Sequence, residues 1–212
     1  IKKFKAVWVP DVDDAVHLAG ELSHPAKALV TPVYLGLLSR MQKVAVAEQN
    51  DVLLLLSGPE PQRTILETKL VQSLHSFNGK AVLVRGLPTE TTVLNVPSSV
   101  TVYTHLPAQE LQKVICASQL VVCRSGYTSV MDLIRLQKKA VLIPTPGQPE
   151  QEYLATHLQS LQLFPSLTQN EASIEKAIAV AASFNYQQPF SPEMFDRFKP
   201  VIEQQLQQQM KK

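Results

Sequence analysis

The sequence is poor in the residues that usually announce a ligand. It has two cysteines, Cys116 and Cys123, too few for a disulfide framework or a metal clip, and they read as small core residues in a reducing compartment. Seven glycines stand against fifteen prolines, so the loops are stiffened rather than loosened. Neither G-x-G-x-x-G nor G-x-x-x-x-G-K-[ST] occurs, which removes the usual signatures of nicotinamide-type and Walker-type phosphate binding. No apolar run approaches a bilayer span, and no signal-peptide pattern opens the chain. A net charge of +2 gives no footing for nucleic acid. The five histidines have no metal-ligand spacing, and no Ser/His/Asp or Cys/His set carries a local signature. No catalytic residue, metal or cofactor is therefore assigned. The chain opens on Ile1 rather than Met, as expected of a piece of a longer protein.

What is present is a core. The chain has 212 residues, 45% hydrophobic and 18% charged, enough for one large or two small domains. Apolar runs at 4–9, 33–36, 51–57, 81–86, 100–103, 120–123 and 140–143 predict strands. Between them, helices are expected over about 61–74 (Ile65, Leu66, Leu70 and Leu74 inward), from Pro107 (Leu111, Val114 and Ile115 inward) and after Gly126 (Val130, Leu133, Ile134 and Leu136 inward). Further helices are expected over about 149–161, 171–182 and 193–210, whereas 11–32 reads as a loop with one helical turn. Strands alternating with helices predict an α/β fold, a Rossmann-like parallel sheet with helices on both faces.

Ligands on such sheets bind outside the carboxyl ends of the strands. The stretch Leu120–Asp132 fits that place, because an apolar run ends in Arg124-Ser125-Gly126 and a helical pattern follows at once. Helix N-termini expose unpaired N–H groups and partial positive charge, which suit phosphate. Gly126 removes a Cβ that would hold a ligand off the backbone. Ser125, Thr128, Ser129 and Asp132 fall on one polar stripe, with Asp132 about 10 Å along the axis from Ser125, within reach of a ribose diol beyond a phosphate. Two other loops follow strands and share this edge, Ser57–Pro61 and Pro144–Gln151. The second carries three prolines and presents Gln148, Glu150, Gln151 and Glu152, donors and acceptors suited to sugar hydroxyls. Ser57-Gly58 could offer amides to a diphosphate. Arg63 is expected in solvent, and Asp11-Val12-Asp13 as a solvated turn rather than a metal motif.

Arg124-Ser125-Gly126-x-Thr128-x-x-x-Asp132, Ile143-Pro144-x-Pro146 and Gln151-x-Tyr153-x-Ala155 together resemble the C-terminal half of GT-B glycosyltransferases of the MurG-like type, glycosyltransferase family 28. The resemblance covers about residues 33–185. It implies a donor-binding domain over 33–190, preceded by a remnant of the acceptor domain and a linker over 1–32 and followed by a C-terminal helix over 191–212. It implies transfer of a hexose, such as N-acetylglucosamine, from a UDP-sugar with inversion, the catalytic base lying in an N-terminal acceptor domain of the same or another chain. By the same resemblance, Asp132 holds the ribose, while Ser125, Gly126 and Tyr127 lie near the diphosphate, with Arg124 and Thr128 beside them. Leu106 contacts the uracil, Gln151 and Glu152 contact the sugar, and Ser57-Gly58 stands for a phosphate-contacting loop. It implies no metal and no cofactor beyond the substrate. It also implies a cytoplasmic place, with the full-length enzyme able to sit at the inner face of the membrane. The alternatives are a non-catalytic UDP-sugar-binding subunit that docks to a separate acceptor-domain partner, and a sugar-nucleotide epimerase of related fold.

Overall fold

The computed structural model describes residues 6–27 and 30–210; Phe4 and Lys5 of the first expected strand lie outside them. The chain forms two compact units, residues 41–187 and residues 1–40 with 188–212.

In the discontinuous unit, β1 (Val7–Val9) and β2 (Pro32–Tyr34) pair in parallel, Trp8 opposite Val33. The loop between them holds one 3-10 turn, Gly20–Leu22. Its centre corrects the expectation of a solvated turn. Asp11 is fully buried, and its carboxylate accepts the N–H groups of Val12, Leu18 and Ala19 (2.8, 2.9 and 2.8 Å) and the Ser23 hydroxyl (2.6 Å). A loop without regular structure must still satisfy its buried N–H groups, and here one carboxylate does so. The His24 ring stacks between those of His17 and Tyr34, at 3.9 and 4.4 Å between centroids. The expected helix over 193–210 is broken into a 3-10 turn, Pro192–Phe195, and a helix, Phe198–Met210. The Met194 carbonyl is taken instead by the Leu37 N–H at 3.0 Å. Gly36 (φ +81°) lies beside it, where a Cβ would come within 2.9 Å of the Arg197 Cβ.

The larger unit runs β3 (Asn50–Leu55), α1 (Gln62–Leu74), β4 (Ala81–Val84), β5 (Val100–Tyr103), α2 (Ala108–Cys116), β6 (Ser118–Cys123), α3 (Tyr127–Leu136), β7 (Lys139–Leu142), α4 (Pro149–Ser160) and α5 (Ile174–Ser183). The sheet order is β5-β4-β3-β6-β7, all parallel, as an α/β Rossmann-like fold requires. The continuous apolar runs mark strands buried on both faces. Val52, Leu54, Leu56, Leu120, Val122, Val141 and Ile143 pack with Leu66, Leu70 and Leu74 of α1 and with Ile174 and Ala177 of α5. The alternate residues Leu53, Val121, Ala140 and Leu142 are buried on the opposite face. Each leucine buried from α1 is worth roughly 1.5–3 kcal/mol. Ile65, expected inward, is 40% exposed, because the inward row runs through Leu66, Leu70 and Leu74 at a spacing of four and leaves Ile65 beside it. On α3, Ile134 is half-buried and Met131 is buried instead. Cys116 and Cys123 are buried free thiols, and burial pushes the Cys123 thiol up to about 12.

Candidate functional site

The sheet reverses its strand order between β3 and β6. From β3 the chain steps outward through β4 to β5, then returns to the other side of β3 as β6 and continues to β7. Such a reversal leaves a crevice at the carboxyl ends, because the flanking loops part in opposite directions. Leu55 lies opposite Cys123, and Cys123 opposite Leu142, so β3, β6 and β7 end level. The loops Ser57–Pro61, Arg124–Gly126 and Pro144–Gln148 therefore emerge side by side. Leu106 follows β5, the edge strand, which lies three strand spacings from β6, about 14 Å at roughly 4.8 Å each.

The tip of α3 is open. Gly126 is the N-cap residue with an extended backbone (φ −71°, ψ 135°), and no side chain caps the helix. A Cβ built on Gly126 would meet no heavy atom within 4 Å, and the same holds for Gly147 in the neighbouring loop. The first turn of α3 thus has no side-chain cap, and the partial positive charge of the helix lies behind it. Thr128 is exposed, while Tyr127, Ser129 and Asp132 are half-buried. Ser125 starts the stripe but is fully buried, its hydroxyl donating to the Gln151 carbonyl at 2.8 Å. It reaches the crevice through backbone alone.

The proline-rich loop is braced from inside. The Thr145 N–H donates to Gln151 Oε1 (3.0 Å), Gln151 Nε2 donates to Gln148 Oε1 (2.6 Å), and the Gly147 N–H donates to Glu152 Oε1 (2.9 Å). Two of the residues expected to meet a sugar, Gln151 and Glu152, thus also shape the loop that would present it. Gln151 is half-buried; Glu150 and Glu152 are exposed. Ser57 and Gly58 are exposed, Gly58 at φ +103°, a conformation open to glycine at little cost.

Beneath these loops lie three guanidinium groups. Arg63 is not in solvent: it is 5% exposed and pairs with Glu60 (2.5 Å) and Glu67 (3.2 Å). Arg85, directly after β4, forks onto the same Glu67, Nε to Oε1 at 2.6 Å and Nη2 to Oε2 at 3.1 Å, and donates from Nη1 to the Thr92 carbonyl at 2.9 Å. The hydrogen bond to Glu67 holds the Arg85 pKa above its ordinary value. Arg124 is 1% exposed and differently served. Nη1 donates to the Ile143 and Pro144 carbonyls (3.3 and 3.1 Å), and Nη2 to the Gln62 carbonyl (2.8 Å) and Gln169 Oε1 (2.6 Å). These bonds tie the start of α1 to the end of β7. Among the described residues no carboxylate pairs with Arg124, and burial pulls its pKa down to about 10, so it stays charged at neutral pH. The sequence carried no mark for Glu67, Arg85, Thr145 or Gln169; only the i,i+4 spacing of Arg63 and Glu67 was visible as a pair.

The sequence model of the glycosyltransferase family 28 C-terminal domain matches residues 63–206, more than half of the chain. The chain belongs to this family. Among curated proteins none matches. Solved structures similar in fold include the calicheamicin glycosyltransferase CalG4, at 15% identity over 82% of this chain and 43% of that one, with a TM-score of 0.54. The spinosyn rhamnosyltransferase SpnG, complexed with thymidine diphosphate, is 14% identical over 87% of this chain and 47% of that one, with a TM-score of 0.50. MurG of Acinetobacter baumannii is 16% identical over 82% and 52%, with a TM-score of 0.49. The chain spans about half the length of these structures. The family member thus has the Rossmann-like sheet of a GT-B glycosyltransferase domain. No helix among its described residues is long and apolar enough to cross a membrane.

Proposed function

We infer that the chain is the donor-binding half of an inverting glycosyltransferase, which takes a hexose such as N-acetylglucosamine from UDP. The open, uncapped tip of α3 at the strand-order reversal is the observation that carries this reading. The diphosphate rests against the first amides of α3, and Asp132, two turns on, takes the ribose hydroxyls. As the glycosidic bond breaks, charge grows on the departing diphosphate, and oriented amides stabilise it without reorganising. The sugar lies toward Gln151 and Glu152, and the base toward Leu106. Acceptor and catalytic base come from an N-terminal acceptor domain of the same or another chain, so this half binds donor and turns it over poorly. The family and the nucleotide in the SpnG structure support a nucleoside diphosphate. The whole enzyme works in the cytoplasm, at the inner face of the membrane.

Isothermal calorimetry with UDP, dTDP and a panel of UDP-sugars tests the reading. Binding of UDP, weakened about tenfold or more by Asp132→Ala through loss of charge-assisted hydrogen bonds, is the expected result. Absence of heat with every nucleotide would sink it, as would an Asp132→Ala protein that binds like the wild type.

A further inference from the structure

Two buried polar groups at the carboxyl edge have unused capacity inside the protein. Arg124 carries a charge with no acidic partner among the described residues, and its Nε has no hydrogen-bond partner there. Thr145 is 1% exposed; its N–H is held by Gln151, but its hydroxyl has no partner among the described residues. Buried groups left in this state lower the stability of the free protein, and folded proteins rarely keep them without a use. The two stand at the ends of adjacent strands, β6 and β7, on either side of the Ile143 and Pro144 carbonyls that Arg124 binds. Gly58 lies close to the Thr145 hydroxyl. A Cβ on Gly58 would lie 3.7 Å from Thr145 Oγ1 and meet no other heavy atom within 4 Å. On this side the hydroxyl thus faces a residue that carries no side chain, in the exposed loop after β3.

Resting on the donor-binding reading above, we propose that Thr145 and Arg124 form an inner anion subsite, reached as the Gly58 backbone gives way, for the phosphate groups of the ligand. The Thr145 hydroxyl donates to a phosphate oxygen. Arg124 is a positioning residue: it touches protein carbonyls, holds the three loops in place, and supplies from behind them the counter-charge that the free protein lacks. An anion in the crevice is then the missing partner of a guanidinium already buried, and ligands are selected by phosphate charge as well as by base.

The test titrates the 212-residue chain with UDP, uridine and inorganic pyrophosphate and follows melting in parallel. Thr145→Val should weaken UDP and pyrophosphate about tenfold, the loss expected for one hydrogen bond to a charged group, and leave uridine unchanged. Because the hydroxyl has no partner in the free protein, this variant should melt at or above the wild-type temperature. Arg124→Gln should weaken both anions about tenfold or more, while Arg124→Lys, which keeps the charge, stays within about threefold of wild type. Unchanged UDP affinity in Thr145→Val, or melting below wild type, overturns the proposal. So do equal losses in Arg124→Lys and Arg124→Gln that extend to uridine, the behaviour of a brace alone. If Arg124→Gln does not fold, Thr145→Val decides. Pyrophosphate binding that responds to these variants, with no gain from the nucleoside, would keep the subsite and defeat the UDP reading. If neither anion binds the wild type, both fall.

Discussion

Arg85 and Arg124 each follow directly on a strand end at the same edge of one sheet, and both are buried. Yet Arg85 shares Glu67 with Arg63 in a bidentate fork, whereas Arg124 is surrounded by carbonyls and one amide. Two buried cations on one carboxylate still leave positive charge, which the more exposed Glu60 offsets from above. That arrangement is complete within the protein. The Arg124 arrangement satisfies direction but not charge. The difference separates a guanidinium that holds structure from one whose charge is kept for something that arrives.

The contrast can be broken from either side. Removing the shared acid should have the largest effect: Glu67→Gln leaves Arg63 and Arg85 buried against a neutral amide and should cost about 3–5 kcal/mol, read by urea denaturation. Giving Arg124 an acid should act in the opposite sense. Gln169→Glu places a carboxylate where Gln169 Oε1 already accepts from Arg124 at 2.6 Å. It should raise the stability of the free chain by about 1 kcal/mol and weaken UDP about tenfold, because the guanidinium is then neutralised before the ligand comes. A variant as unstable as Glu67→Gln, or one with unchanged UDP affinity, would erase the distinction.

Helix starts repeat the contrast more weakly. The Ser173 hydroxyl caps α5 by accepting the Lys176 N–H at 3.2 Å, whereas α3 opens without a side-chain cap. Ser173→Ala should cost about 1 kcal/mol and leave nucleotide binding untouched. The smallest effect is a titration in the other compact unit. Burial and then the neighbouring His17 lower the His24 pKa below 6.5, so the folded chain disfavours the charged ring. The stability this gives is present above pH 6.5 and drains away as pH falls below it, since the unfolded chain takes up the proton first. Melting between pH 7.5 and 5.5 should show the decline, and His24→Gln should flatten it.

The sheet was legible because its strands are uninterrupted apolar runs, 52–56, 81–84, 120–123 and 140–143, closed by Ser57, Arg85, Arg124 and Pro144. The α3 tip was legible for the same reason: a buried strand running into Ser-Gly must deliver a helix start to the sheet's edge. What stayed hidden depends on partners distant in the chain. Arg63 read as a solvent residue because its burial depends on Arg85, and Asp11 read as a solvated turn because its partners at Leu18 and Ala19 are backbone N–H groups that any residue carries. Ser125 looked like the foot of an exposed stripe; the Gln151 carbonyl that draws its hydroxyl inward lies 26 residues on. Thr145 had nothing to distinguish it from other loop threonines, since what marks it is the absence of a hydrogen bond.

The pairing of Leu37 with Met194 has a consequence for the order in which the molecule is made. Everything residues 41–187 need for their sheet and core has been synthesised before the last stretch is translated, so that body can close while the ribosome is still at work. The other body must wait: Asp14, Gly36 and Leu37 meet Met194 and Arg197 only when that later stretch has emerged. A nascent chain stalled near residue 187 should therefore hold residues 41–187 folded and the other body unclosed.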